Sequence, residues 1–80
     1  MAEHLFVPTG SKREKYEELF PQIKSLIESE SDLIANMANV SAMLHATFGF
    51  WWTGVYRVLD GLLVLGPCQG PHACTRIKYG

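Results

Sequence analysis

From Leu33 to Tyr56 the chain carries no Asp, Glu, Lys or Arg, and Gly49 divides this charge-free run into halves with different periods. Before Gly49, Leu33, Met37, Val40, Leu44 and Phe48 recur at three and four residues, the spacing of one helical face. Ala35, Ala38 and Ala42 flank that stripe and suit close packing. After Gly49 the period falls to two, with aromatic and β-branched residues from Phe50 through Val58, which predicts a strand. A membrane span is excluded by the interruptions at Asn36, Asn39, Ser41, His45 and Thr47 and by the change of period. A helix that must cover a sheet is the economical outcome, an α+β arrangement.

The flanking segments extend the pattern. Upstream, Tyr16, Leu19, Phe20, Ile23, Leu26 and Ile27 form another helical stripe, with Pro21 inside it. An interior proline removes a hydrogen bond and costs about 3 kcal/mol, which predicts two short helices meeting near Phe20 or one kinked helix. Ser31 or Asp32 is placed to cap the following helix. Downstream, Asp60-Gly61 predicts a two-residue hairpin turn, with Leu62 to Leu65 as the returning strand. Gly66-Pro67 then opens a loop running to Ala73, and Thr75 to Tyr79 begins a further extended piece. The expected layout is a single partial domain over residues 1–80, helical over 11–48, with a hairpin and cysteine loop over 50–80. Two strands need at least a third for stability, so the chain is expected to associate, most simply as a homodimer.

Eighty residues form one small domain that buries only about 60–65% of its unfolded surface. Seven basic residues against eight acidic ones argue against nucleic acid and anionic membrane, which need a concentrated positive field. Two cysteines are too few for a disulfide scaffold, and Met-Ala-Glu-His-Leu-Phe lacks the basic start and apolar stretch of a signal peptide; a cytoplasmic location is expected.

Few residues can carry chemistry. On a strand, Trp52, Gly54 and Tyr56 share one face while Trp51, Thr53, Val55 and Arg57 share the other. Two rings flanking a glycine leave a gap suited to a methyl or methylthio group, because sulfur packs well against aromatic rings. On spacing alone, ordinary core packing is the simpler explanation. Cys68 and Cys74 fall in the Gly/Pro-rich loop, where a thiol near the surface can enter disulfide exchange. His72 lies between them, yet Cys68-x-x-x-His72-x-Cys74 fits no compact zinc spacing, and no metal or cofactor is expected. His45 sits beside the helical stripe and reads as a packed histidine rather than a catalyst.

Several pieces together resemble one family. They are Asn36-Met-Ala-Asn39, Trp52-Thr-Gly-Val-Tyr56, Leu63-Val-Leu-Gly-Pro67, Gln69-Gly70 and Ala73-Cys-Thr-Arg-Ile77, with Lys15-Tyr-Glu-Glu-Leu in the first helix. The combination resembles the amino-terminal half of the free methionine-(R)-sulfoxide reductases, a branch of the GAF-domain superfamily. The resemblance implies a GAF-like α+β fold with two amino-terminal helices packed on an antiparallel sheet, here incomplete. It implies thiol-dependent reduction of free methionine sulfoxide, with a thioredoxin-type reductant as partner. By the same resemblance Trp52 and Tyr56 line the substrate pocket and Cys74 is the resolving cysteine. The family's nucleophilic cysteine has no counterpart among these residues, and Cys68 stands where the family usually has phenylalanine. A non-catalytic GAF-type module, binding a small ligand or mediating dimer contacts, is the alternative reading.

Overall fold

The computed structural model describes residues 7–78, so the extended piece expected through Tyr79 is described only as far as Lys78. Two helices precede three strands: α1 (Lys12–Ser29), α2 (Leu33–Phe48), β1 (Thr53–Leu59), β2 (Leu62–Gln69) and β3 (Arg76–Lys78). The strands form an antiparallel sheet in the order β1-β2-β3. Helix α2 lies against β1 and β2, and α1 lies against α2. This is the expected α+β layout.

Helix α1 starts at a capping box. The Glu14 N–H donates to Ser11 Oγ at 3.2 Å, and the Ser11 N–H donates to Glu14 Oε1 at 2.9 Å, so two otherwise unpaired donors are satisfied reciprocally. Donation from the Ser11 backbone N–H first, and from its hydroxyl second, favours the charged Glu14 carboxylate and holds its pKa below the usual range. A lowered folded-state pKa means that the stabilisation is present above the unfolded value and is lost as pH falls through the folded one. Acidification below the ordinary carboxylate range should therefore fray the start of α1. Circular dichroism against pH should show this loss in the native chain, and Glu14→Ala should flatten it.

Of the two outcomes expected at Pro21, the structure excludes the first. The helix is not two pieces: Lys12–Ser29 is one continuous element with Pro21 inside it. Pro21 is exposed, so the carbonyl that its ring leaves unbonded can be met by solvent. The stripe on α1 is also only partly used. Leu19 is buried, Ile23 and Leu26 are half-buried, and Tyr16, Phe20 and Ile27 are exposed, because α1 packs against α2 alone.

Helix α2 is capped by Asp32, whose Oδ2 accepts from the Ala35 N–H at 2.8 Å, and ends at Gly49 in the left-handed region with φ 66°. Its anticipated stripe is not its most buried part. Met37, Val40, Leu44 and Phe48 are half-buried and Leu33 is 65% exposed, whereas Ser41, Met43 and Thr47 are buried. At about 100° per residue, Met43 and Thr47 fall on one flank of the stripe and Ser41 on the other. A helix with α1 on one side and the sheet on another buries its flanks, which a single-face pattern does not anticipate.

The hairpin turn is as expected, with Asp60 at φ 50° and Gly61 at φ 75°. Its strands differ from the expectation at both ends. Strand β1 begins at Thr53 rather than Phe50, and β2 runs past Leu65 through Gly66, Pro67 and Cys68 to Gln69. Cys68 is consequently a strand residue opposite Gly54, not a loop residue. A bulge makes this possible. Between the pairs Gly54↔Cys68 and Tyr56↔Leu65, Val55 alone faces both Gly66 and Pro67, so proline occupies the one stretch where the ladder is already interrupted.

Candidate functional site

The cleft is built from the residues linking α2 to β1. Phe50 stacks on Phe48 with ring centroids 5.5 Å apart, and Phe48 in turn meets Tyr16 of α1 at 4.6 Å. That aromatic row takes up Phe50 and pins the start of the link, after which Trp51 and Trp52 lead into β1. Both tryptophans line an open cavity of about 440 Å³, together with Tyr56, His72, Ala73, Cys74 and Ile77. The volume lies within the range of small-ligand pockets, and the lining is mostly apolar with a few polar atoms.

Trp52 and Tyr56 do come together, with ring centroids 6.1 Å apart and planes inclined by 30°. The gap expected over Gly54 is filled, however, by the indole itself. A Cβ at Gly54 would stand 2.5 Å from the far edge of the Trp52 ring and 2.6 Å from the Cys68 Cβ across the ladder. Glycine is required here for close approach, and it lets the Trp52 ring lie flat along β1 towards Tyr56. The open space is displaced from the glycine to the region in front of the two rings.

Cys74 also lines the cavity, from the segment joining β2 to β3. Its residue is exposed, while Cys68 is half-buried, and both are free thiols. Gly70 brings the segment down onto the link: a Cβ there would meet the Trp51 carbonyl oxygen at 2.6 Å, and its φ of 114° is open to glycine alone. The Tyr56 hydroxyl then donates to the Cys74 carbonyl at 2.8 Å. All three residues selected from the sequence, Trp52, Tyr56 and Cys74, therefore border one cavity.

Other candidates do not join them. His45 is half-buried, with Nδ1 3.5 Å from Thr53 Oγ1, and is outside the cavity lining. Among the described residues no group of three or more His, Cys, Asp or Glu is placed to hold a metal ion. Trp51, His72, Ala73 and Ile77 were not selected from the sequence. Strand alternation puts Trp51 on the far face, but β1 starts after it, so alternation does not govern where it goes. Trp51 is 81% exposed and forms the rim. The Trp52 Nε1 is buried and has no hydrogen-bond partner among the described residues.

Among the described residues no helix is long and apolar enough to cross a membrane. No protein-family profile matches the chain. A GAF domain-containing protein A of Dictyostelium discoideum is 53% identical over 81 residues, covering all of this chain and 51% of that protein. The free methionine-R-sulfoxide reductase of Escherichia coli is 39% identical over 71 residues, covering 88% of this chain and 43% of the enzyme. The structure of free methionine-R-sulfoxide reductase from Neisseria meningitidis in complex with its substrate superposes with a TM-score of 0.91 at 44% identity, over 96% of this chain and 47% of that one. The chain thus spans about half the length of the curated relatives it matches. By sequence and by fold it is a homologue of the free methionine-R-sulfoxide reductases, a GAF-domain chain representing about half of their length.

Proposed function

We propose that this chain supplies the aromatic pocket and the resolving cysteine of a free methionine-(R)-sulfoxide reductase. The observation that carries the reading is the meeting of Trp52, Tyr56 and Cys74 around one cavity. Ring faces at that spacing suit the methyl end of the substrate, because sulfur and its methyl group pack favourably on aromatic edges and faces.

A cysteine thiolate from the half of the protein outside these residues attacks the sulfoxide sulfur, and the oxygen takes up one proton and passes to the cysteine as a sulfenic acid. The substrate sulfur gains two electrons and leaves as methionine. The Cys74 thiolate then attacks the sulfenic sulfur, forming a disulfide and expelling hydroxide, which takes up a proton as water. A thioredoxin-type dithiol returns two electrons and two protons to restore both thiols. This chemistry suits the cytoplasm, where thiols are kept reduced. A homodimer would cover the exposed Tyr16, Phe20 and Ile27 row of α1.

A chimera in which these 80 residues replace the matching part of the Escherichia coli relative tests the reading. With a dithiol present, it is expected to consume free L-methionine-(R)-sulfoxide and to leave the (S) epimer. The 80-residue chain by itself is expected to reduce neither. A folded chimera that turns over neither epimer would support the non-catalytic module instead.

A further inference from the structure

We infer that Tyr56 is a positioning residue for Cys74, its hydroxyl fixing the peptide that aims the thiol at the cavity; this rests on the reading of Cys74 as the resolving cysteine. The segment from Gly70 to Thr75 joins the end of β2 to the start of β3 and has no regular structure of its own. Among the described residues two hydrogen bonds reach across to it. The Tyr56 hydroxyl donates to the Cys74 carbonyl at 2.8 Å, and the Leu65 N–H donates to the Thr75 carbonyl at 2.9 Å.

Both donors come from one rung of the sheet. Tyr56 and Leu65 are direct partners in the β1–β2 ladder, the first pair after the bulge. One rigid cross-strand pair therefore grips two consecutive carbonyls, those of Cys74 and Thr75. The bulge sets this register, since without the extra residue on β2 a different residue would stand opposite Tyr56. Cys74 needs such a grip because its residue is exposed, so packing alone does not orient the thiol. Its direction follows from the backbone, and the backbone is held by the Tyr56 hydroxyl. Tyr56 is well placed to be an anchor, half-buried on β1 with its ring 6.1 Å from that of Trp52. The ring and the hydroxyl thus have separate tasks: the ring walls the pocket, and the hydroxyl holds the segment that carries Cys74.

Two measurements on Tyr56→Phe test the inference. In the 80-residue chain, amide hydrogen exchange at Leu65, whose N–H donates to the adjoining Thr75 carbonyl, should quicken by roughly five- to tenfold, the value of one neutral hydrogen bond, while the other amides of the β1–β2 hairpin keep their protection. In the chimera, Tyr56→Phe should slow disulfide formation at least about tenfold more than it slows single-turnover methionine release. It should also add nothing to the loss of dithiol-driven turnover already caused by Cys74→Ser, as expected for two residues acting through one step. Unchanged exchange at Leu65 would overturn the tether, and so would loss of protection throughout the hairpin, which would make the hydroxyl a support of the whole fold. Equal slowing of both chemical steps would assign the hydroxyl to the substrate and overturn the inference as well. Failure of the underlying reading looks different: Cys74→Ser would then cycle at full rate, whatever the exchange result.

Discussion

Replacing Cys74 by serine in the chimera should collapse thioredoxin-driven turnover by on the order of 100-fold or more, while one equivalent of methionine is still released in a single turnover. The asymmetry follows from the role proposed for the thiol. Cys74 acts only after another cysteine has taken the substrate oxygen, so its loss strands the enzyme as a sulfenic acid that a thioredoxin-type protein has no disulfide to attack. A small dithiol reaching the sulfenic acid directly should restore part of the rate. Cys68→Ser is the control that gives the experiment its edge. Cys68 lies within β2 opposite Gly54 and half-buried, whereas Cys74 is exposed on the cavity wall, held there through its own carbonyl. Exchange chemistry needs a thiol that a second sulfur can approach in line, which favours Cys74 over a thiol in a paired strand. Cys68→Ser should therefore leave turnover within a few-fold of the native value. Full thioredoxin-dependent cycling by Cys74→Ser would remove it from the resolving role, and stalling by Cys68→Ser instead would reverse the two assignments.

What was legible in the sequence was whatever depends on neighbours along the chain. Gly49 closes α2, Asp32 opens it and Asp60-Gly61 turns the hairpin, because caps and tight turns are decided by two to four adjacent residues. The pairing of Trp52 with Tyr56 was legible for the same reason, although the space in front of the rings was misplaced onto Gly54. What was not legible depends on partners far away. Gly66-Pro67 reads as the opening of a loop until the bulge opposite Val55 gives proline a place in the strand. The buried flanks of α2 reflect packing on two sides, and a stripe pattern encodes only one. The bond from Tyr56 to Cys74 spans 18 residues and leaves no local signal at all. The role proposed for Cys74 came from the likeness to a known family, where local patterning had none to offer.

Removing the indole of Trp52 is the second large effect, and it separates a pocket residue from a core residue. In the chimera, Trp52→Ala should raise KM for methionine sulfoxide and lower kcat/KM by about 10–100-fold, since one well-placed aromatic contact is worth roughly 1–3 kcal/mol. The ring covers Gly54 and faces Tyr56 across 6.1 Å, so alanine would leave both surfaces bare and the cavity without one of its walls. Trp52→Phe provides the discriminating comparison. The Trp52 Nε1 has no partner among the described residues, so phenylalanine gives up no hydrogen bond and keeps an aromatic face towards the cavity. It should retain kcat/KM within about tenfold and lose little stability, because removing an unpaired buried donor is nearly free. If Trp52 serves packing alone, the pattern inverts. Trp52→Ala would then lower the melting temperature sharply, as losses of about 3–5 kcal/mol do for large buried rings, while the folded fraction kept native kinetics. Thermal melts recorded beside the kinetics of both variants decide the matter: a pocket residue changes KM at a nearly constant melting temperature, and a core residue changes the melting temperature at a nearly constant KM.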